Sequence, residues 1–241
     1  MMSGGNTLPL PLTQHLAAKL VTALEPACEQ IVVAGSVRRQ KAQIGDIELV
    51  CIPRIESHTA EQINLFGEVV GQKTTVIHYL DHRLNALLTL SPDHHPIFRS
   101  MEAMAAVFKC YRRPAPVWAG PDLKRWGERY KRFYLWVNDK QGAVAVDVFI
   151  TTPAAWGAIL TIRTGPHDFS KALMNHIRYK TPYVQEEGHL RVKGTKEIVP
   201  VPSETDYFKH IGVPFLEPEK RTLQRLRIVT TMQQQKAGVR V

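Results

Sequence analysis

Two acidic residues stand close together in a segment whose pattern predicts a β-strand. Asp46 and Glu48 are two positions apart in segment 46–52, where polar and apolar residues alternate. Because side chains two positions apart in a strand point to the same side, both carboxylates are predicted to share one face. Two such charges repel each other unless a cation lies between them, so the pair is half of a site for a divalent metal ion.

Asp147 is the candidate for the third carboxylate. It interrupts the apolar segment 143–150, and an acid inside such a strand is costly to bury unless it is paired or binds a metal. Three oxygen ligands together with substrate phosphates suit Mg²⁺, and such a site can hold two ions, one that activates a hydroxyl and one that stabilises a leaving pyrophosphate. The alternative is that Asp147 pairs with an Arg or Lys.

The residues just before the acidic pair are suited to binding phosphate. Gly35 follows the apolar segment 31–34 and permits a sharp turn and the close approach of a ligand. Ser36 would lie where free backbone N–H groups face anions. Arg38 and Arg39 carry forked cations that match phosphate oxygens. The alternatives are an ordinary turn at the end of a strand and a pair of solvated arginines.

The apolar periodicity predicts helices and strands that are mixed without regular βαβ repetition, which favours the α+β class. Predicted strands lie at 31–34, 46–52, 130–137, 143–150 and around 189–200. Predicted helices lie at 13–24 with Thr13 as the cap, at 79–89, at 100–109, from Pro153 to a stop at Gly165, at 167–179 and at 204–210. The two strands that carry the acids must be neighbours if the three carboxylates are to meet.

The composition is that of a folded protein with a basic surface. Of 241 residues 44% are hydrophobic, and 31 Lys and Arg against 22 Asp and Glu give a net charge of +9. This surplus favours a polyanionic partner, either nucleic acid or a membrane surface. Since no apolar run approaches the ~18 residues of a membrane span and no secretion signal is evident, we expect no membrane partner. Cys28, Cys51 and Cys110 fit neither a zinc site nor a disulfide framework, which favours a cytoplasmic location.

The segment from Gly35 to Glu48 resembles the GS-x-R-R…G-D-x-D signature of the nucleotidyltransferase superfamily, and in particular of the family X DNA polymerases, the polymerase beta group. Two further motifs support this resemblance. Arg163-Thr164-Gly165 resembles the T-G turn of that family at the nucleotide sugar, and residues 203–208 with 215–221 are similar to the closing segment of its thumb. The resemblance covers roughly residues 12–222.

The resemblance implies a division of the chain. Residues 1–152 would form a polymerase beta-like nucleotidyltransferase palm, a mixed antiparallel sheet with flanking helices, with an insertion around 53–130. Residues 153–222 would form a small α+β thumb subdomain, and residues 223–241 a basic tail.

The resemblance also implies roles for individual residues. Asp46, Glu48 and Asp147 would hold two Mg²⁺ ions, or Mn²⁺ in their place. The nucleotide-binding residues would be Gly35, Ser36, Arg39, Gly45, Thr164 and Gly165. Where the family usually has a second Asp this chain has Glu48, and Ile162-Arg163 replaces the aromatic pair with which the family distinguishes ribose from deoxyribose.

A basic segment interleaved with aromatic residues is a second candidate site. Its basic members are Lys124, Arg125, Arg129, Lys131 and Arg132, and they alternate with Trp126, Tyr130 and Phe133. This pattern is typical of a surface that grips a nucleic-acid backbone while aromatic rings stack on bases. The alternative is a solvated face above core aromatics.

The expected activity is transfer of a nucleotide from a dNTP to a primer 3′-hydroxyl with release of pyrophosphate, in DNA repair or replication. The expected partners are DNA, as primer–template or gapped DNA, and a nucleoside triphosphate, and the chain is expected to be a monomer in a bacterial or phage-infected cell. Two alternatives stay open. The first is a nucleotidyltransferase that needs no template or uses RNA or another acceptor, and the second is a nucleic-acid-binding module without catalysis.

Overall fold

The structure is a computed structural model that describes residues 7–63, 66, 68–89, 125–138 and 140–238. The α-helices in this part of the chain are α1 (Leu10–Leu24), α2 (Gly35–Arg38), α3 (Tyr79–Thr89), α4 (Trp156–Thr164), α5 (His167–Lys180), α6 (Glu204–His210) and α7 (Leu223–Gly238), and 3₁₀ helices lie at Glu25–Ala27, Pro153–Ala155 and Pro218–Lys220. The strands are β1 (Leu8–Pro9), β2 (Cys28–Val33), β3 (Gln43–Ile44), β4 (Asp46–Pro53), β5 (Ile55–Ile63), β6 (Val69–His78), β7 (Tyr130–Asn138), β8 (Gly142–Ile150), β9 (Tyr183–Glu186), β10 (His189–Val192) and β11 (Ile198–Val199). The predicted α+β class is confirmed.

A four-stranded central sheet brings the two acid-bearing strands together. Its strand order is β2-β4-β8-β7, so β4 and β8 are neighbours. The β4–β8 pair is parallel, while β2 runs antiparallel to β4 and β7 runs antiparallel to β8. Small sheets of antiparallel strands, β9 to β11 among them, lie outside this sheet. The requirement that 46–52 and 143–150 lie side by side is therefore met.

One face of the central sheet is packed against helices, which fixes where the acids point. Ile47 and Leu49 on β4, and Val146 and Val148 on β8, are fully buried in a core that leucines of α1 and α3 complete. Since side chains alternate along a strand, Asp46, Glu48 and Asp147 belong to the opposite face. Burial of the apolar face, at about 25 cal/mol per Å², holds this register.

The opposite face is covered by the start of the C-terminal region, residues 153–238. Trp156 and Leu160 of α4 pack on Val50, Ile52 and Phe149 of the sheet. The rest of that region has a core of its own, formed by residues of α5, α6, α7 and the β9–β11 sheet, among them Phe169, Leu173, Leu190, Tyr207, Phe208 and Leu226. This packing places α4 beside the acidic side chains.

The beginning of α1 differs from the prediction, whereas its end at Leu24 is as predicted. The helix begins at Leu10, three residues before the predicted start, and Pro9 is its N-cap residue. Thr13 is therefore not a cap, and its hydroxyl instead donates to the carbonyl of Pro9 one turn earlier, at 3.0 Å. The predicted helix at 100–109 lies outside the described residues, whereas 204–210 forms a helix as predicted.

Strands β5 and β6 form an antiparallel ribbon that is mostly exposed to solvent. The ribbon begins at Ile55 and ends at His78, and the amide of Tyr79 donates to the carbonyl of Arg54 at 3.2 Å. Its two ends therefore meet at the edge of the core. Among the described residues, none of the helices is long and apolar enough to span a membrane.

Candidate active site

The three predicted carboxylates lie on one face of the central sheet. In the parallel β4–β8 pair, Glu48 is directly opposite Asp147, and Asp46 is two residues before Glu48 on the same strand. The charges are near enough to interact, because Asp147 contributes to the electrostatic environment of both other acids. The sequence-based expectation of a shared face is met in the structure.

Burial and mutual repulsion make the charged form of this group unfavourable. Burial first, and then the neighbouring charges of Asp46 and Asp147, raise the pKa of Glu48 to about 7. Burial and the charge of Asp147 likewise raise the pKa of Asp46 above its ordinary value. Arg39 opposes both shifts without removing them. A divalent cation would relieve this repulsion, so the donor set fits such an ion by charge and by ligand type.

Asp147 is at the same time paired with residues of β7. Arg132 lies opposite it in the β7–β8 pair, and Nε and Nη2 of Arg132 donate to Oδ1 and Oδ2 of Asp147, both at 2.5 Å. The hydroxyl of Tyr130 also donates to Oδ1, at 2.7 Å. This is the ion pair that sequence reasoning kept as its alternative. In the described part of the chain, no three His, Cys, Asp or Glu side chains are already arranged to hold a metal ion.

The pairing with Asp147 helps to raise the pKa of both donors, Arg132 and Tyr130. The hydrogen bond to Asp147 is the main cause that raises the pKa of Arg132, which therefore stays charged. Burial, followed by the hydrogen bond to the Asp147 carboxylate and its charge, raises the pKa of Tyr130 to about 12. Both groups therefore keep their protons at neutral pH and can donate to this carboxylate.

The position of Glu48 requires a glycine at residue 35. Its φ angle is +61°, a left-handed conformation, and a Cβ atom at this residue would lie 1.9 Å from Oε2 of Glu48. The amide of Ala34 donates to the carbonyl of Glu48 at 2.8 Å. The turn and the acidic strand are therefore in direct contact, which only a glycine permits.

Two polar atoms beside this turn are buried without a hydrogen-bond partner among the described residues. They are Oγ of Ser36 and Nε of Arg39. Buried polar atoms are normally paired, so each such atom calls for an explanation, an unseen ligand among them. Burial lowers the pKa of Arg39, while Glu48 and Asp46 act in the opposite direction. These atoms fit a site that an anionic group completes.

Thr164 and Gly165 lie against this turn, at the end of α4. Nη1 of Arg39 donates to the carbonyl of Thr164, and Nη1 of Arg38 donates to its Oγ1 at 2.8 Å. A Cβ on Gly165 would approach the ring of Phe169 to 2.4 Å. The predicted nucleotide-binding residues therefore come from both parts of the chain, and a Cβ atom added at Gly45 would meet no atom within 4 Å.

Sequence reasoning missed an ion network behind this turn. Arg38 donates to both carboxylate oxygens of Glu204, at 2.9 and 2.6 Å, and Arg221 donates to Oε1 at 2.7 Å. Burial opposes ionisation of Glu204, yet the hydrogen bonds from both arginines lower its pKa. Arg38, which was proposed to bind phosphate, is therefore held by a carboxylate. No local pattern in the sequence indicates this pair, because Arg38 and Glu204 are 166 positions apart and only the fold brings them together.

The C-terminal region is the part of the chain that a family model recognises. Residues 159–222 match the DNA polymerase beta thumb. The predicted resemblance to the family X polymerases is confirmed in this segment, which contains Thr164, Gly165, Glu204 and Arg221. The match relates the chain to DNA polymerases and to DNA binding. No curated protein matches the chain.

A cavity of about 960 Å³ opens between the matched segment 159–222, called the thumb below, and the central sheet. Its wall includes Tyr130, Phe149, Arg163 and His189. The rings of Tyr130 and Phe149 stack with centroids 5.1 Å apart, and Cζ of Arg163 lies 3.9 Å from the centroid of Phe149. The cavity therefore adjoins Asp147 through the Tyr130 hydroxyl, and aromatic and guanidinium groups contribute to its wall.

The predicted basic cluster does not form one solvent-facing surface. Lys124 lies outside the described residues, and Arg125 and Arg129 are exposed at the wall of the cavity. Lys131 is 5% exposed, and its ammonium group binds Asp81 at 2.8 Å and the carbonyl of Gly127 at 3.1 Å. Because successive residues of a strand point to opposite faces, Lys131 and Arg132 cannot share a surface. A role in binding nucleic acid stays a prediction for Arg125 and Arg129.

Proposed function

We propose that this protein is a metal-dependent nucleotidyltransferase that adds a nucleotide from a dNTP to the 3′-hydroxyl of a DNA primer and releases pyrophosphate. The observation that carries the proposal is the common face of Asp46, Glu48 and Asp147 beside the turn of Ser36 and Arg39. The match of residues 159–222 to a DNA polymerase beta thumb supports a nucleic-acid acceptor over a small molecule.

The turn after β2 is proposed to bind the triphosphate. Oγ of Ser36 and Nε of Arg39 are the unpaired buried donors, and both lie next to the strand that carries the acids. Arg39 also bonds the carbonyl of Thr164, so binding of an anion here involves the thumb. Donors fixed before the substrate arrives stabilise developing charge without reorganisation, which is the main source of catalysis in phosphoryl transfer.

The acids are proposed to hold the cations. Asp46, Glu48 and Asp147 would be the ligands of two Mg²⁺ ions, with Mn²⁺ as a substitute. When bound, such ions lower the pKa of an attacking hydroxyl and neutralise the leaving phosphates. The three carboxylates are held in place relative to one another, because β4 and β8 are hydrogen-bonded in a register that the core fixes.

The test is primer extension with labelled nucleotides in Mg²⁺ and in Mn²⁺, with wild type, Asp147→Asn and Glu61→Gln. Glu61 is an exposed acid of the β5–β6 ribbon and serves as the control. We expect Asp147→Asn to lower the rate by about 100-fold or more and Glu61→Gln to leave it unchanged. A loss of less than about tenfold with an intact fold would contradict the proposal.

The same assay separates the proposal from its alternatives. Templated, gapped, blunt and single-stranded primers are offered, each with dNTPs and with rNTPs. Extension that follows the template supports a DNA polymerase, and equal extension of single-stranded primers supports a template-independent transferase. Binding without turnover on every primer would identify a non-catalytic module.

A further inference from the structure

Two cysteines that lie far apart in the sequence meet in the central sheet. Cys28 is the first residue of β2, and Cys51 lies near the end of β4. In the antiparallel β2–β4 pair, Cys28 is opposite Pro53 and Cys51 is opposite Ile31, so the two cysteines are diagonal neighbours. Both are free thiols in the core that α1 and α3 complete. They therefore share the face of the sheet that is opposite to the acids.

The two thiols are joined by a hydrogen bond. The Cys51 thiol donates to the sulfur of Cys28, and this bond is the main cause that lowers the pKa of Cys28, while burial opposes the shift and the charge of Arg54 supports it. The same bond, together with burial, raises the pKa of Cys51. Of the two residues, Cys28 is 5% exposed and Cys51 is fully buried. Because the thiolate is the attacking form, Cys28 is the more reactive sulfur and Cys51 keeps its proton.

The ladder of hydrogen bonds between β2 and β4 is incomplete around Cys28. A bulge interrupts the register between Cys28 and Gln30, and Pro53, opposite Cys28, has no N–H to donate. Diagonal neighbours in a regular antiparallel pair are roughly 7–8 Å apart, whereas a disulfide brings its two Cβ atoms to about 3.8 Å. The strand end that carries Cys28 must therefore move towards β4 for the sulfurs to bond, and few ladder hydrogen bonds resist this movement.

We propose that Cys28 and Cys51 are a peroxide-sensitive dithiol, which hydrogen peroxide converts into a disulfide between β2 and β4. In the first step the Cys28 sulfur attacks one oxygen of the peroxide and the O–O bond breaks. Cys28 becomes a sulfenic acid, and the hydroxide that leaves takes up the proton that Cys28 has released. In the second step the Cys51 sulfur attacks the Cys28 sulfur, the S–O bond breaks, and the departing hydroxyl leaves as water with the Cys51 proton. Two thiols lose two electrons in total, and the peroxide is reduced to two molecules of water.

The disulfide would close a covalent ring around part of the candidate active site. Residues 28–51 contain the turn at Gly35 and both acids of β4. The cross-link itself lies at the other end of these strands, where the amide of Arg54 donates to the carbonyl of Ala27 at 2.9 Å and the β5–β6 ribbon begins. The inference is independent of the proposed function, because the oxidation needs neither a nucleotide nor a metal ion.

The experiment exposes the reduced full chain to increasing amounts of hydrogen peroxide, blocks the remaining thiols with N-ethylmaleimide, and maps the products by mass spectrometry. Trypsin cleaves after Arg38 and Lys41, between the two cysteines, and after Lys109, just before Cys110, so the three cysteines fall in three different peptides. Cys110→Ser is the matched control, because it removes the third cysteine and leaves the pair. The same oxidation of the chain unfolded in urea gives the pattern of random pairing. Thermal unfolding verifies that each variant is folded.

We expect peptides linked through Cys28 and Cys51 to be the main product, in wild type and in Cys110→Ser. Recovery of the two cysteines from the folded wild type as separate alkylated thiols would overturn the proposal. Linkage between them that is no more frequent than in urea would overturn it as well.

The order of attack is tested with dimedone, which labels sulfenic acids, in the presence of peroxide. In Cys51→Ser the serine hydroxyl still donates to the remaining sulfur, so Cys28 should be labelled at least about tenfold faster than Cys51 is in Cys28→Ser. Labelling of Cys51 as fast as that of Cys28 would overturn the assignment of Cys28 as the attacking sulfur.

Discussion

Arg38 and Glu204 form a bidentate ion pair that joins the turn of the central sheet to the thumb. The two guanidinium nitrogens lie 2.9 and 2.6 Å from the carboxylate oxygens, and the residues are 166 positions apart in the chain. Arg221, whose side chain is fully buried, contacts the same carboxylate. The neighbouring Arg39 belongs to the proposed triphosphate site, so the position of that site depends on the thumb.

Replacement of the shared carboxylate should therefore destabilise the protein. Glu204→Gln leaves two arginines without a counter-charge, one of them fully buried, and we expect a loss of about 3–5 kcal/mol in the free energy of unfolding. Urea denaturation measures this change. The control is Glu219→Gln at an exposed position of the thumb, for which we expect a change within about 0.5 kcal/mol. Equal effects of both variants would show that the network contributes nothing to stability.

The raised pKa of Glu48 predicts how stability depends on pH in the absence of metal. Because its pKa is about 7 in the fold against 4.5 as the ordinary value, the protonated form favours folding. This stabilisation is complete below pH 4.5 and is lost as the pH rises through 7. Glu48→Gln should match wild type at pH 4 and be more stable by about 3 kcal/mol at pH 8.

The measurement is urea denaturation with a chelator present, at steps between pH 4 and pH 8. Glu61→Gln, at an exposed position, should differ from wild type by the same amount at every pH. A difference for Glu48→Gln that does not grow with pH would contradict the assignment of a buried, repelled carboxylate.

The contact between Gly35 and Glu48 predicts a contrast between two glycines of the same motif. Gly35→Ala places a methyl group on Oε2 of Glu48 and requires a left-handed conformation, so we expect a loss of about 2 kcal/mol or more. Gly45→Ala meets no atom within 4 Å and should change stability by less than about 0.5 kcal/mol. Chemical denaturation of both variants checks the contrast, which would be refuted by equal losses.

Arg129 is exposed and Lys131 is buried, so we expect their replacement to affect DNA binding differently. Arg129 is exposed, and Arg129→Ala should reduce the slope of log affinity against log salt by about one. Lys131 is bound to Asp81 inside the protein, so Lys131→Met should leave that slope unchanged and lower stability instead. Fluorescence anisotropy with a labelled oligonucleotide between low and moderate salt measures both slopes, and a reduced slope for Lys131→Met would argue against its internal role.

The common face of the three acids could be predicted from the sequence because it depends on local rules. Strand alternation places Asp46 and Glu48 on one side, and the apolar residues around Asp147 leave it only the side opposite the core. A glycine after a buried strand likewise predicts the turn at Gly35. These features need no knowledge of distant partners.

The ion pairs of the site could not be predicted, since they join residues that only the fold brings together. Arg38 meets Glu204 across the whole chain, and Arg132 meets Asp147 through the antiparallel register of β7 and β8. The burial of Lys131 has the same origin, because its partner Asp81 lies on α3. Composition identifies a basic segment, but the three-dimensional arrangement decides which of its charges reach the solvent.

The ribbon of β5 and β6 leaves and rejoins the fold at nearly the same place. Its first and last residues are adjacent, and the bond from the Tyr79 amide to the Arg54 carbonyl closes the chain beneath it. Doubling the length of such a connection raises the entropic free energy of loop closure by only about 0.6 kcal/mol. The ribbon can thus be lengthened, shortened or exchanged while Asp46 and Glu48 keep their positions on β4.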